Sequence, residues 1–447
     1  MTRIGSLIGA TILATAGIAG TAQAQDFDLR QFEGTTLDLL YAEISFIPGL
    51  KELLPEFEEL TGIHVNIETL SEAAARQKAQ IESASGSGAF DIVGIQSGNL
   101  PLYVQNGWLK PVSDYFGNPA VSNPDQLDID DFIPSTLQGM AVDGNQYCLP
   151  FFAATVMLYY QIDKFEQAGI TEPPKTFEDL LDVAKRVHTP EVPAIALRGS
   201  PPSSAGNIWT FNLFLYGEGG RYFADYPNDL SVTVDSPEAL SALETFVTLK
   251  RGYAPEGSVN FVFDDVVTAM QQGNVVMAID GAPLAGRILD PEQSKVAGNL
   301  GFAVVPGGTA GPKPSFASHG LCISAASDTP DAAYLFLEWA TSAETMVKIS
   351  QNSSYLATPR NAVWENEAFI EKYNFDFGGG SFLAAYQQSL AVAPADYYPP
   401  IPVWGLISDR MGQAVQAAEI GQQTPAEALA AASRDISDIL KTEGYRN

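Results

Sequence analysis

An α/β fold built on a parallel sheet with helices on both faces follows from three observations. Strand-like and helix-like segments alternate through the first hundred residues. A compact apolar run, Phe90 to Ile95 (FDIVGI), has the character of a strand covered on both faces. Four later helices open on Ser or Thr caps, three of them followed by Pro. In order, Thr36 to Tyr41 reads as a strand, and Leu50, Leu53, Leu54, Phe57 and Leu60 then recur at helical spacing. His64 to Glu68 alternates as a strand, a helix runs to about Ser83, and Ser85 to Gly88 is a turn leading into FDIVGI. The capped helices start at Thr176, Ser236, Thr329 and Thr424, and the last resembles a capping box with Glu427. Val275 to Ile279 and Gly301 to Val305 are further strands. Pro394 to Pro402 (PADYYPPIP) is too rich in Pro for a helix or a central strand, so it should wrap a surface or line a cleft. There is no internal repeat.

The 447 residues carry 53 acidic and 24 basic side chains, a formal charge of −29, which makes nucleic acid or an anionic membrane surface an improbable partner. With 46% hydrophobic and 17% charged residues the composition is globular. At the amino end Arg3 is the only charge before Asp26. Ile4 to Gly20 is apolar and small, and Ala22-Gln23-Ala24 presents small residues to a signal peptidase; residues 1–24 therefore read as a secretory signal cleaved after Ala24. No later stretch is long and apolar enough to span a bilayer, so an exported, freely diffusing protein is expected.

Chemistry is conspicuous mainly by its absence. There is no G-x-S-x-G elbow, no Walker loop and no G-x-G-x-x-G after a strand, and the three His (His64, His188, His319) share no metal-ligand spacing. No spacing singles out a pair of carboxylates, although a glycan-degrading enzyme would need one. Tyr159-Tyr160 raises ferric-ion ligation as an alternative, set against a position in an apolar strand where one ring must face a core. Cys148 and Cys322 are read as two buried thiols in preference to a disulfide. The aromatics speak more clearly. Trp209 and Phe211 lie in NIWTFNLF, Phe151-Phe152 follow a Leu-Pro pair, and Trp404 follows the Pro-rich run; flat indole faces suit the C–H faces of a sugar ring.

Gly144-Asn145-Gln146-Tyr147-Cys148-Leu149-Pro150, then Leu158 to Phe165 (LYYQIDKF), Ala168-Gly169-Ile170 and Pro173 to Phe177 (PPKTF), resemble the extracellular solute-binding proteins of family 1, the carbohydrate receptors of bacterial ABC importers. Ala269 to Met277 with Asp280-Gly281, and Leu356 to Arg360 (LATPR), are further matching blocks. Cys148, Gln161 and Phe177 stand where the family usually has Gly, Asn and Trp. The resemblance implies a two-lobed periplasmic-binding-protein fold (type II-like), each lobe a mainly parallel sheet flanked by helices, hinged by three crossings. These fall near Pro150-Phe151, Ser318-His319-Gly320 and Thr358-Pro359. Residues 25–150 plus 319–358 would form lobe 1, and 151–318 plus 359–447 lobe 2. It further implies a non-enzymatic monomer without cofactor that takes a small carbohydrate or polyol in the interlobe cleft and docks on permease subunits.

Open parallel sheets bind ligands at the carboxyl ends of their strands. With the aromatics, that rule and the resemblance name Glu43, Ser45, Gln96, Ser97, Phe152, Trp209, Asp280, Gly281, His319, Tyr355, Arg360 and Trp404 as the expected solute-binding residues. Arg360 has two readings, a clamp on solute hydroxyls or a partner of an acidic hinge residue. Ala282-Pro283-Leu284 stand where maltose-type members carry another Trp, which favours a small solute.

Overall fold

The computed structural model describes residues 27–201 and 206–445, so the expected signal segment, residues 1–24, lies outside the described residues. Nine strands form one sheet: β1 (Thr36–Ala42), β2 (His64–Leu70), β3 (Ile92–Gln96), β4 (Leu109–Lys110), β5 (Cys148–Gln161), β6 (Ile195–Ala196), β7 (Met277–Gly281), β8 (Leu300–Ala303) and β9 (Phe316–Ser324). Their order is β2-β1-β3-β9-β5-β7-β6, with β4 on β9 and β8 on β5. The helices that bear on the site are α1 (Phe46–Thr61), α2 (Glu72–Ser85), α3 (Phe177–Val187), α4 (Asn207–Gly217), α5 (Pro237–Tyr253), α6 (Pro330–Ala340), α7 (Trp404–Glu419) and α8 (Pro425–Thr442).

Only β1–β2, β1–β3 and β6–β7 pair in parallel; β9 runs against β3, β4 and β5, and β5 against β7 and β8. The sheet is thus mixed where mainly parallel sheets were expected. Parallel pairs need a crossover helix, which the outer strands have. The inner strands are connections between two lobes, and β5 shows how. Its first half, Cys148 to Thr155, pairs β9, while Val156 to Tyr160 pairs β7. The β5–β9 ladder is broken by a bulge in which His319 faces Phe152 and Gly320 faces Pro150, leaving Phe151 without an opposite number.

The caps form largely as the sequence implies. Thr176 and Thr424 make capping boxes with Asp179 and Glu427, and the Ser236 hydroxyl accepts from the Ala239 N–H. Thr329 does not cap α6; its hydroxyl donates to Asp91 at 3.3 Å. α4 is buried along its whole length, as its all-round apolar sequence requires.

One reading is corrected. Cys148 and Cys322 are joined in a disulfide rather than left as thiols. They stand directly opposite on β5 and β9 with Cα atoms 4.3 Å apart, a neighbourhood that a separation of 174 positions conceals. The Tyr159-Tyr160 pair offers no shared ligand set for iron, because successive strand residues face opposite ways. Buried Tyr159 donates to the carbonyls of Gly281 and Ala282, and Tyr160 donates to that of Gly379. Among the described residues no group of three His, Cys, Asp or Glu is placed to hold a metal, and no helix is long and apolar enough to cross a membrane.

Candidate functional site

The carboxyl ends of β1, β2, β3, β6 and β7 converge on the bulged stretch of β5 and β9. From the β1 side come Tyr41, then Glu72 and Arg76 one helical turn apart at the start of α2, and Gln96 at the end of β3. Arg76 bridges to Glu72 at 2.9 Å, and Gln96 Nε2 donates to the same carboxylate oxygen at 2.6 Å. Partial desolvation pushes Glu72 up, but His319, Arg76, the Gln96 hydrogen bond and Arg198 together hold it below the usual carboxylate value. A cavity of about 20 Å³, room for one water, lies among Tyr41, Glu72, Arg76, Gln96, Asn99 and Tyr103.

The opposing side is set by β6 and β7. Arg198, just past β6, meets Asp280 of β7 through two guanidinium nitrogens, Nε lying 2.9 Å from Oδ2. Both side chains are sealed, 8% and 1% exposed. Burial opposes the Arg198 charge, yet Asp280 restores it and holds the guanidinium above its ordinary value. Its planar group lies 5.6 Å from the Trp209 ring, a cation–π distance. Trp209 in turn touches Tyr397 and Tyr398 of the Pro-rich run, and Trp404, the first residue of α7, packs on Tyr398 at 5.6 Å and edge-on to Tyr222 at 4.9 Å. The indole N–H groups of Trp209 and Trp404 are both buried without a partner among the described residues.

The two sides meet at Gly98. A Cβ placed there would stand 3.0 Å from the Tyr398 ring and 3.6 Å from that of Trp404. Between them sits His319 of β9, 7% exposed, its ring 5.0 Å from Phe152 and its Nδ1 hydrogen-bonded to the Tyr41 hydroxyl. Burial pushes His319 down to about 4, with Glu72 opposing and Arg76 adding to the shift.

That shift has a measurable sign. An unfolded His takes up its proton near 6.5, whereas folded His319 resists until about 4, so between these values only the unfolded chain binds it. Stability held above pH 6.5 is therefore expected to fall by roughly 3 kcal/mol as the pH drops towards 4. Urea unfolding at pH 7 and pH 4.5 should show His319→Gln losing less than the wild type over the interval. Equal losses in the two proteins would refute the assignment.

Of the residues expected from the sequence, Gln96, Ser97, Phe152, Trp209, Asp280, Gly281, His319 and Trp404 are brought together here. Ser97 pairs through its backbone N–H with the Ser318 carbonyl, and Gly281 donates its N–H to Asp280. Glu43 is exposed beside Lys51 at 3.8 Å, and Ser45 is a half-buried residue before α1 with no capping bond. Tyr355 is corrected from a solute contact to a brace, and of the two readings of Arg360 the acidic partnership is the one that forms, its Nη1 lying 3.5 Å from Asp131. Buried Tyr355 donates to the Phe151 carbonyl at 2.5 Å. Arg360 is fully buried, spends its nitrogens on the carbonyls of Thr341, Asp128 and Leu127, and lies 3.7 Å over the Phe132 ring, leaving nothing for a solute.

Tyr41, Glu72, Arg76, Arg198 and Tyr398 were missed. The strand-end rule reaches three of them: Tyr41 ends an apolar run, Glu72 follows β2, and Arg198 closes AIALR.

The description "Bacterial extracellular solute-binding protein" belongs to the family model that matches residues 44–347. The mannitol-binding protein of Pseudomonas aeruginosa is 29% identical over 400 residues, covering 84% of this chain and 86% of that protein. The erythritol/L-threitol-binding protein of Mycolicibacterium smegmatis is 24% identical over 374 residues, covering 79% and 78%. Among solved structures, an ABC transporter solute-binding protein of Agrobacterium vitis with bound D-mannitol superposes with a TM-score of 0.77 at 27% identity, over 92% of this chain and 99% of that one. One from Agrobacterium radiobacter in complex with ribitol reaches 0.79 at 23% identity, over 91% and 99%, and supports the two-lobed fold. With the family model spanning most of its length, the chain belongs to the bacterial extracellular solute-binding proteins.

Proposed function

We infer that the protein is the periplasmic receptor of an ABC importer and captures a small, neutral polyol or sugar between its lobes. The observation that carries this reading is the pairing of charges within the cleft. Glu72 is neutralised by Arg76 and Asp280 by Arg198, each pair on its own side, so the walls present hydrogen-bonding edges without a net charge for an ionic solute. The aromatic group Trp209, Tyr398 and Trp404 supplies apolar faces to the C–H surface of such a solute. Relatives named for mannitol and for erythritol and threitol support the same class.

In this reading residues 25–150 plus 319–358 form lobe 1 and 151–318 plus 359–447 lobe 2. Cleavage near Ala24 releases a monomer into the periplasm, where an oxidising setting suits the Cys148–Cys322 bond. Closure about the bulged strands brings both walls onto one solute, and the closed form docks on the permease subunits. No chemical step is assigned. Moving the lobes from 1:99 to 99:1 closed takes about 5.5 kcal/mol of differential affinity, which contacts from two walls to one molecule can supply.

A thermal-shift panel of D-mannitol, ribitol, erythritol, monosaccharides, maltose, amino acids and ferric ion tests the assignment. The expected result is a rise with a polyol or monosaccharide; a rise confined to amino acids or iron would overturn it. Closure has its own test at Gly98, whose backbone is not in a region reserved for glycine. Gly98→Val should wedge Tyr398 and weaken solute binding by at least about tenfold, or 1.4 kcal/mol. Full affinity in that variant would show that the lobes do not meet there when solute binds.

A further inference from the structure

The hydrogen bond between Tyr41 and His319 joins the end of β1 to the bulged stretch of β9, and it is the only hydrogen bond of either side chain among the described residues. Its direction follows from what each atom has to offer. Tyr41 is 5% exposed, its ring lies over Gly94 so closely that a Cβ there would collide with it, and Phe151 meets it edge-on at 5.3 Å. Burial first, and the Glu72 charge second, push the phenol well above its ordinary value, Arg76 opposing. The hydroxyl therefore keeps its proton and has one acceptor within reach, Nδ1 of His319. A neutral imidazole that accepts at Nδ1 carries its own proton on Nε2. Nε2 makes no hydrogen bond to the described residues, and the charges that bear on the ring are Glu72 and Arg76 of the cleft wall. The groups around the ring are Glu72 and Arg76 from α2, Gln96 from β3, and Phe151 and Phe152 from β5.

We propose that Tyr41 is a positioning residue for solute capture: its hydroxyl holds His319 in the Nε2–H tautomer, so that β9 presents a fixed hydrogen-bond donor to one hydroxyl oxygen of the solute. The proposal rests on the reading that the cleft takes a polyol or sugar, and it adds a requirement to it. A solute hydroxyl that accepts from Nε2–H keeps its own proton free for a carboxylate such as Glu72, which can only accept. The other tautomer would present a lone pair instead and reverse that order. A tyrosine buried in one lobe thus sets the polarity of a contact made by a hinge strand.

Histidine side-chain 15N spectra of the full chain, recorded with and without D-mannitol, test this directly. In the solute-free wild type His319 should show a protonated Nε2 and an accepting Nδ1. Tyr41→Phe keeps the ring packing and removes only the hydroxyl, so it should give a mixture of tautomers and raise the Kd for D-mannitol about tenfold, the scale of one oriented hydrogen bond. His319→Gln, whose amide N–H can reach the Nε2 position, should retain more affinity than His319→Leu. In the His319→Gln background Tyr41→Phe should change the Kd less than about twofold, because no tautomer is left to hold. A wild-type spectrum with the proton on Nδ1, or an equal cost of Tyr41→Phe in both backgrounds, would overturn the proposal. Should D-mannitol fail to bind the wild type, the choice of solute falls, while the solute-free spectrum still decides for or against the tautomer.

Discussion

Asp280→Asn is expected to cost roughly 3–5 kcal/mol of stability and to abolish solute capture together. The side chain keeps its shape, but the Arg198 guanidinium, 8% exposed and held above its ordinary value by that carboxylate, is left with a buried charge. Asp280 is the largest of the charges that hold this buried cation, so the single change should be severe and the double change mild. Replacing both partners by apolar residues of similar volume, Arg198→Met with Asp280→Leu, should recover most of the stability. It should not recover binding, since Arg198 also faces the Trp209 ring at the cleft wall. Urea midpoints at constant m-value, beside calorimetric titration with D-mannitol, separate the two effects. A loss below about 1 kcal/mol in Asp280→Asn would mean that Arg198 is satisfied by other groups, and the pair would lose its standing as the anchor of that wall.

The same pair shows how much of the site could be read from the chain. Asp280 was visible because a charge closing VVMAI interrupts an apolar run at a strand end. Arg198 closes AIALR in the same way, but its strand is two residues long and its local period too weak to mark an end. Tyr398 lies in a run whose Pro content pointed to a cleft lining, yet the ring that turns inward meets Gly98, three hundred positions away. Tyr355, and the clamp reading of Arg360, failed for a related reason. A guanidinium that clamps solute and one that braces three carbonyls look alike in sequence, and the carbonyls of Leu127, Asp128 and Thr341 become neighbours only after folding. The alternating elements and their caps were legible because they are local physics. The direction of β5 and β9 was not, because a strand shared between two lobes takes its partners from distant segments.

Removing the Cys148–Cys322 bond should be the largest single loss of stability available without touching the cleft. The bond closes a loop of 174 positions, for which the chain-entropy account gives about 5 kcal/mol as an upper figure. Both sulfurs are buried and stand opposite in the regular stretch of the ladder before its bulge, so Cys148→Ala with Cys322→Ala leaves the backbone hydrogen bonds of β5 and β9 in place. Most of the cost then falls on the unfolded chain, which gains freedom when the crosslink goes. Solute affinity should stay within about threefold of the wild type, because the bond joins the ladder two residues beyond the bulge at His319–Gly320, and both sulfurs are buried away from solvent. Equilibrium unfolding of the double variant, and of the wild type with and without reductant, should agree on the loss. A difference below about 1 kcal/mol would show that β5 and β9 remain associated in the unfolded ensemble, so that the crosslink removes little freedom. A large fall in affinity would instead place the disulfide in the closing motion, with the pivot reaching further along β5 than the bulge.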